Sequence, residues 1–349
     1  MVETNRDPTA GQFMAALLGL AIGDALGRPT EGKRHDEIRA QARETLLTFR
    51  SYRDGRLGRQ LPAGSWSDDT QQALLLADSL AAGRGLDAED FSDRMYALWK
   101  SGEARGYGGV YQRAMEGRDA GQRWDVVAVA GDTLNGAAMR IVPLGLFYWY
   151  DPAALTEAAV RSSRVTHADA AAAAGAAGVA LAIAYALTHA EIHRERFVAH
   201  LQTHIAPIDR QMADHLSVLG RAAGLAPDAA FRVLSEVPGF AAPPREGRGS
   251  GVSGLTVALL LISTYLFLHT EGDYLRAVEG AILLGGDTDG TAATAGAICA
   301  AWRGAGVLPP DLATTVEEAQ RIRTLGWLLH GRSLAAAHAA GALPVSGVR

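Results

Sequence analysis

The stretch AAAAAGAAGVALAIAYAL, residues 170–187, runs without a single charge. Its length sits at the lower edge of what crosses a bilayer, yet its letters are mostly Ala and Gly, which are only weakly apolar. His167 and Asp169 precede it, and His189, Glu191 and His193 follow. Alanine favours helix, while glycine lets backbones approach closely. The segment therefore reads as a buried central helix with close neighbours.

Other segments supply those neighbours. Residues 13–26 form an apolar run with small residues at Ala15, Ala16, Gly19, Ala21 and Gly23, and a loop follows at 27–32. Residues 255–268 are more apolar but shorter, and carry Thr256, Ser263 and Thr264, so they also read as a core helix. Ser67 has N-cap chemistry ahead of a helix at 67–80. Further helices are expected at 88–100, 136–150 with a kink at Pro143, 152–163, 168–190, 194–204, 208–224, 273–284, 290–303, 311–325 and 331–340. Residues 33–63 read as a polar, Arg-rich surface excursion, with loops at 102–109 and 238–254. Nothing alternates with period two for long, so no sheet is expected. No fixed-length repeat or linker divides the chain. The expectation is a single compact multi-helix all-α domain over 13–340, between tails at 1–12 and 341–349.

Composition narrows the function. The 349 residues include 33 Lys+Arg and 38 Asp+Glu, a formal net charge of −5, which argues against sequence-specific nucleic-acid binding. The lone Cys299 excludes an internal disulfide framework and fits a reducing compartment. The N-terminal residues 1–13 are charged and lack the apolar run of a signal peptide, so a cytoplasmic location without membrane association is expected.

Two segments share a design. Gly64-Ser65-Trp66-Ser67-Asp68-Asp69-Thr70 opens one helix, and Gly285-Gly286-Asp287-Thr288-Asp289-Gly290 opens another rich in small residues. Either acid pair alone reads as helix capping, because carboxylates are stabilised at helix N-termini. Two such pairs invite a second reading. Small residues let the helices approach until both N-termini face one point, where four carboxylates repel one another unless a cation intervenes. Oxygen ligands suit hard ions such as Mg²⁺ or Mn²⁺ rather than zinc. His167 and Asn135, each at the start of a helix or turn, have structural readings when taken alone.

Taken together, these pieces resemble the ADP-ribosylglycohydrolase family. The matching segments are 18–27 with Glu31 just after, Ser67-Asp68-Asp69-Thr70, 135–140, Thr166-His167, and 285–289 with the Ala/Gly-rich helix that follows. They occur in the family's order from about residue 13 to 304. The resemblance implies an all-α fold with two divalent cations, Mg²⁺ or Mn²⁺, at the bottom of an ADP-ribose cleft. It implies Ser67, Asp68, Asp69, Asp287 and Asp289 as metal ligands. It also implies Glu31 and Asp69 as catalytic carboxylates, and Tyr107, Gly108, Gly109, Asn135 and His167 as substrate-binding residues.

The implied activity is metal-dependent hydrolysis of the N- or O-glycosidic bond between ADP-ribose and an acceptor, arginine-linked by preference. The implied partner is an ADP-ribosylated protein or small molecule, and ADP-ribose is the product. Such a reaction passes through positive charge on the ribose, which a nearby carboxylate stabilises. One position departs from the family pattern. Gly290 stands where Thr or Ser commonly supplies a metal-binding oxygen, and Thr291 comes one residue late. The alternative is a protein of the same fold that binds ADP-ribose or serves structurally, with weak or no hydrolysis.

Three other signals carry less. Residues 249–254 fit a dinucleotide glycine pattern, but no strand precedes them; a glycine loop there could still cradle a pyrophosphate. His189/His193 and His200/His204 lack the Glu of a metalloprotease helix and read as solvated faces. Cys299 reads as an inert core residue.

Overall fold

The computed structural model describes residues 6–33, 35–242 and 251–343. Helices dominate. Ala170–Thr188 runs through the middle of the molecule and is almost wholly buried. Helix Ala10–Gly27 is somewhat less apolar and is likewise mostly buried. Both are long and apolar enough to cross a membrane, and both are core helices here.

The most extensive contact joins Ala10–Gly27 to Thr288–Arg303. Glycine makes it possible. A Cβ on Gly23 would run into the backbone of Ala292 and Ala293, and one on Gly27 into the backbone of Thr288. A side chain at either position would force the helices apart, and with them the carboxylates at the second helix's start. Helices Tyr274–Leu284, Thr256–His269 and Ala319–Ala339 surround this pair. Cys299 is fully buried among them.

The chain is already packed ahead of Phe13. Thr9 caps the helix from Ala10 in a reciprocal capping box with Gln12, and the Arg6 guanidinium donates to the carbonyls of Leu187, Ala186 and Trp302.

Several elements differ from the sequence reading. The 136–150 helix is a 3₁₀ turn, Asn135–Ala137, followed by a short helix, Val142–Phe147. Pro143 lies in its first turn, where a missing N–H has no consequence, so it starts a helix instead of kinking one. The segment 208–224 breaks into Arg210–His215, a 3₁₀ turn at Leu216–Val218, and Leu219–Ala222. The helix at the C-terminal end is continuous over Ala319–Ala339, without the break at 326–330. Gly109–Asp119 and Pro227–Leu234 are helices that the sequence reading did not mark.

The surface excursion contains two short helices, His35–Arg39 and Arg43–Leu46. It also holds the antiparallel pair Tyr52–Arg53 with Gln60–Leu61. A second pair joins Ala241–Ala242 to Gly251–Val252. Among the described residues, sheet is confined to these two-residue strands.

Of the paired histidines, His193 is exposed, while His189, His200 and His204 are partly buried. His189 and His193 belong to no common helix, since they flank the gap between Ala170–Thr188 and Arg194–Ile205. His189 stacks on Tyr185 with ring centroids 3.6 Å apart. His200 packs against His204 at 4.7 Å, and burial pushes the His200 pKa down to about 4.

Candidate active site

The two acid-bearing helix starts meet. Asp68, Asp69, Asp287 and Asp289 line one cavity of about 370 Å³, together with Glu31, Gly108, Asn135 and His167. Local sequence explains how each arrives. Ser67 caps helix Asp68–Ala82, and its hydroxyl donates to Asp69 Oδ2 at 2.9 Å. Ser67 thus sits behind Asp69 and holds it. Gly286, at φ 81°, turns the chain into Asp287, the N-cap of helix Thr288–Arg303.

Asp24 ties the first helix to this corner. Fully buried, it accepts from the Ser67 N–H, the Thr70 N–H and the Thr70 hydroxyl, the last at 2.7 Å. The motif at 18–27 contained Asp24, but its side chain was not among the expected site residues. Its position one turn before Arg28 on a buried helix face was the available signal.

The cluster is electrostatically loaded. Burial, aided by the other carboxylates, holds Asp69 and Asp287 well above the usual carboxylate range. Burial pushes Asp68 up to about 8, with Arg28 opposing, and Asp24 up to about 6. One oxygen, Asp69 Oδ1, is buried without a hydrogen-bond partner. Opposing this charge is Arg28, which the sequence reading left out. Its Nη1 donates to Asp289 Oδ2 at 2.8 Å and also pairs with Glu31. Burial alone would lower the Arg28 pKa, but Asp289 and Glu31 outweigh it and raise it.

The opposite wall is donor-rich and carries the Arg140 guanidinium. Arg140, almost fully buried, donates to Gln72 Oε1 at 2.9 Å and to Thr166 Oγ1 at 2.7 Å. Thr166 Oγ1 lies 2.8 Å from His167 Nδ1. A hydroxyl that accepts from Arg140 has its own proton free to donate to His167 Nδ1, an arrangement that would place the imidazole proton on Nε2. That Nε2 lies in the cavity wall, buried and without a partner. Burial, with Arg140 nearby, pushes the His167 pKa down to about 3, which keeps the ring neutral. Asn135 Nδ2 donates to Asp287 Oδ2, and the Asn135 N–H donates to the Gly254 carbonyl at 2.9 Å.

The glycine loop beside the cavity is only partly a lining element. Gly106, at φ 49°, lies so close that a Cβ would sit 2.6 Å from Asp68 Oδ1. Gly108 lines the cavity, and Gly109 begins the helix that follows. The side chain of Tyr107 turns away and lies under the Arg56 guanidinium at 4.4 Å. Neither Tyr107 nor Gly109 forms part of the wall; Tyr111 does. Of the glycine pattern at 249–254, residues 249–250 lie outside the described residues, and Gly254 reaches the cavity.

Whether this set fits a divalent cation can be tested on its oxygens. Among the described residues, no three His, Cys, Asp or Glu side chains form a preformed metal-binding group. The reason is visible: Arg28 and Asn135 donors hold Asp289 and Asp287. The donor chemistry nevertheless fits a hard cation. The oxygens of Asp69 and Asp287 converge above Gly290, where a Cβ would lie 3.0–3.2 Å from three of them. Asp69 Oδ1 is left unpartnered, and five carboxylates line the cavity against the two guanidiniums of Arg28 and Arg140. Asp68, Asp69, Asp287 and Asp289 are the residues that would hold such ions, whereas Ser67, expected as a ligand, lies outside the cavity lining with its hydroxyl on Asp69.

The chain is similar to known proteins along most of its length. The chain is 29% identical to the ADP-ribosylhydrolase ARH3 of Gallus gallus, over 94% of this chain and 95% of that protein. It is 26% identical to the ADP-ribosylarginine hydrolase Tri1 of Pseudomonas putida, over 91% of this chain and 77% of that one. A solved structure described as an ADP-ribosylglycohydrolase-related protein complex superposes with a TM-score of 0.66 at 27% identity, covering 93% of this chain and 98% of that one. The sequence profile of the ADP-ribosylglycohydrolase family matches residues 5–338, and the chain belongs to that family.

Proposed function

We propose that the protein is a divalent-metal-dependent hydrolase that cleaves the glycosidic bond of an ADP-ribosyl conjugate and releases ADP-ribose. The observation that carries this reading is the convergence of Asp68, Asp69, Asp287 and Asp289 on one cavity beside Glu31, with Asp69 Oδ1 lacking a partner. When bound, Mg²⁺ or Mn²⁺ would supply Lewis-acid hold on the ribose hydroxyls and lower the pKa of a water.

The chain's own residues do the rest. Glu31, at the cavity mouth, stabilises positive charge developing on the ribose and carries a proton between water and leaving group. Asp69 is the second carboxylate within reach. His167 Nε2–H and Asn135 donate hydrogen bonds to the sugar. The Gly106–Gly108 backbone lets the substrate lie close against the wall.

The test is release of free ADP-ribose from arginine- and serine-linked conjugates, with Mg²⁺, with Mn²⁺ and with chelator. Turnover restored by either ion is expected. Asp287→Ala is expected to abolish it while leaving the circular dichroism spectrum unchanged. Divalent ion should raise the melting temperature of the parent by mass action on the native state, and should do so less in Asp287→Ala. Equal shifts in both proteins would remove Asp287 from the ligand set.

A further inference from the structure

A second cavity, of about 390 Å³, meets the first at Arg28 and Glu31. It is built by the polar excursion after the first helix, and its lining includes Lys33, Arg50, Arg53 and Tyr52. Its charge is opposite to that of the carboxylate cavity. Glu31 is, among the described residues, the single acid in a wall that carries Arg28, Lys33, Arg50 and Arg53. Among the described residues no ion pair holds Lys33, Arg50 or Arg53.

Arg50 is the most informative of these. Its Nη1 donates to Gln41 Oε1 at 2.7 Å, which fixes the guanidinium. Its Nε and Nη2 are buried and have no partner. Unsatisfied buried donors are costly and rare in native proteins. Together the two N–H groups form one edge of the guanidinium fork, the edge that binds an oxyanion through two parallel hydrogen bonds.

We propose that this cavity is an acceptor subsite for an oxyanion carried by the leaving group next to the ADP-ribosyl bond. The proposal rests on the functional reading above, which puts ADP-ribose in the carboxylate cavity and the scissile bond at Glu31. An acceptor leaving past Glu31 then enters the cationic cavity. Hydrolysis places the water oxygen on ribose C1″ and a water proton on the departing acceptor atom. Lys33, Arg50 and Arg53 hold the neighbouring oxyanion and take no part in the bond change. An arginine acceptor, the preference expected from the sequence, would bring a further cation into this wall and is disfavoured.

The experiment uses the full chain with Mg²⁺ and serine-linked ADP-ribosyl peptides that differ only beside the modified serine: phosphoserine, glutamate or alanine. An arginine-linked conjugate is the fourth substrate. The expected kcat/KM order is phosphoserine, then glutamate, then alanine, with about a tenfold span, and arginine-linked lowest. Glutamate equal to phosphoserine would assign the subsite to any oxyanion; phosphoserine alone above alanine would assign it to phosphate.

The phosphoserine-to-alanine ratio should fall to within twofold of unity in Arg50→Gln. Arg53→Gln and Lys33→Gln replace exposed side chains and give the same test without touching packing. Equal turnover of all peptides, or a preference that survives these substitutions, overturns the proposal. Should no conjugate turn over with any divalent ion, the hydrolase reading fails. Fluorescence anisotropy of the unmodified phosphopeptide against the protein then decides the subsite, with binding lost in Arg50→Gln supporting it and no binding in the parent overturning it.

Discussion

Arg28 Nη1 and Asp289 Oδ2 stand 2.8 Å apart, joining the end of the first core helix to the acid-bearing start of another that lies far away in sequence. The pair is largely removed from water, with side-chain exposures of 13% and 3%. The guanidinium occupies the position of a counter-ion among the carboxylates. Under the proposed metal-dependent activity, it would compete with a divalent ion for an oxygen of Asp289.

Removing that cation should have two opposite effects. Arg28→Met is expected to destabilise the protein in chelator by about 3 kcal/mol, the usual consequence of breaking a buried pair from one side. Urea denaturation measures this. The same variant should bind Mg²⁺ or Mn²⁺ more tightly in a calorimetric titration, because Asp289 is freed. A variant that is less stable but binds no more tightly would show that Arg28 and the ion use different oxygens.

The carboxylates predict how stability responds to pH. The folded pKa of Asp68 is raised to about 8, first by burial. A group raised in the folded state contributes stability below its unfolded pKa, near 3.8, and that contribution is lost as pH rises toward the folded value. In chelator, Asp68→Asn removes the cost of ionisation. The variant should therefore melt above the parent by several degrees at pH 8, with the difference shrinking toward zero near pH 4. Melting curves across this range check the sign. A difference that grows toward acid pH would contradict it.

The hydrogen-bond chain behind His167 predicts a tautomer effect. Thr166→Val removes the hydroxyl that fixes Nδ1 as acceptor. It leaves the Arg140 guanidinium without one acceptor, so the variant should also lose about 1–2 kcal/mol of stability. Nitrogen chemical shifts should show the His167 ring changing from pure Nε2–H to a mixture, with kcat reduced about tenfold. His167→Gln supplies a donor that does not depend on tautomer and should retain more activity than His167→Ala. An unchanged tautomer in Thr166→Val would assign the orientation to burial alone.

Much of this arrangement was legible in the sequence because it rests on local rules. The runs 13–26 and 170–187 announce close-packed helices through residue size. Ser67 and the glycines before Asp287 announce helix starts that carry acids. What was not legible depends on contacts across the chain. Pro143 reads as a kink unless one sees that a 3₁₀ turn has already ended at Ala137. Arg28 looks like a loop residue until the helix after Asp287 places Asp289 against it. Tyr107 fits a substrate loop by position, yet its ring is taken by Arg56, 51 residues earlier in the chain. Arg50 and Arg53 lie in a stretch that reads only as polar surface. They become a cavity wall because the short strand pair at Tyr52–Arg53 folds them back toward Glu31.

Gly290 gives the last prediction, and its geometry decides between two effects. By sequence, a threonine here would restore an oxygen that family members commonly place beside the second aspartate. Backbone strain does not oppose it, because Gly290 lies inside helix Thr288–Arg303 and has no positive φ. Space does. A Cβ would stand 3.0 Å from Asp287 Oδ2 and 3.1 Å from Asp69 Oδ1, tighter than ordinary contact, and threonine adds a methyl group as well. Thr291 does not substitute for the missing group, since its hydroxyl donates to the Asp287 carbonyl. Gly290→Thr is therefore expected to push the two carboxylates apart and weaken divalent-ion binding several-fold. Gly290→Ser, which brings the oxygen without the methyl, should lose less. Replacing a helical glycine with serine or threonine also gains about 0.3–0.5 kcal/mol of helix propensity, which offsets only part of the crowding when melting is followed in chelator. Calorimetric titration beside melting in chelator separates the two effects. Tighter binding in Gly290→Thr would mean that the carboxylates yield to the new side chain and that the site accepts the oxygen its sequence lacks.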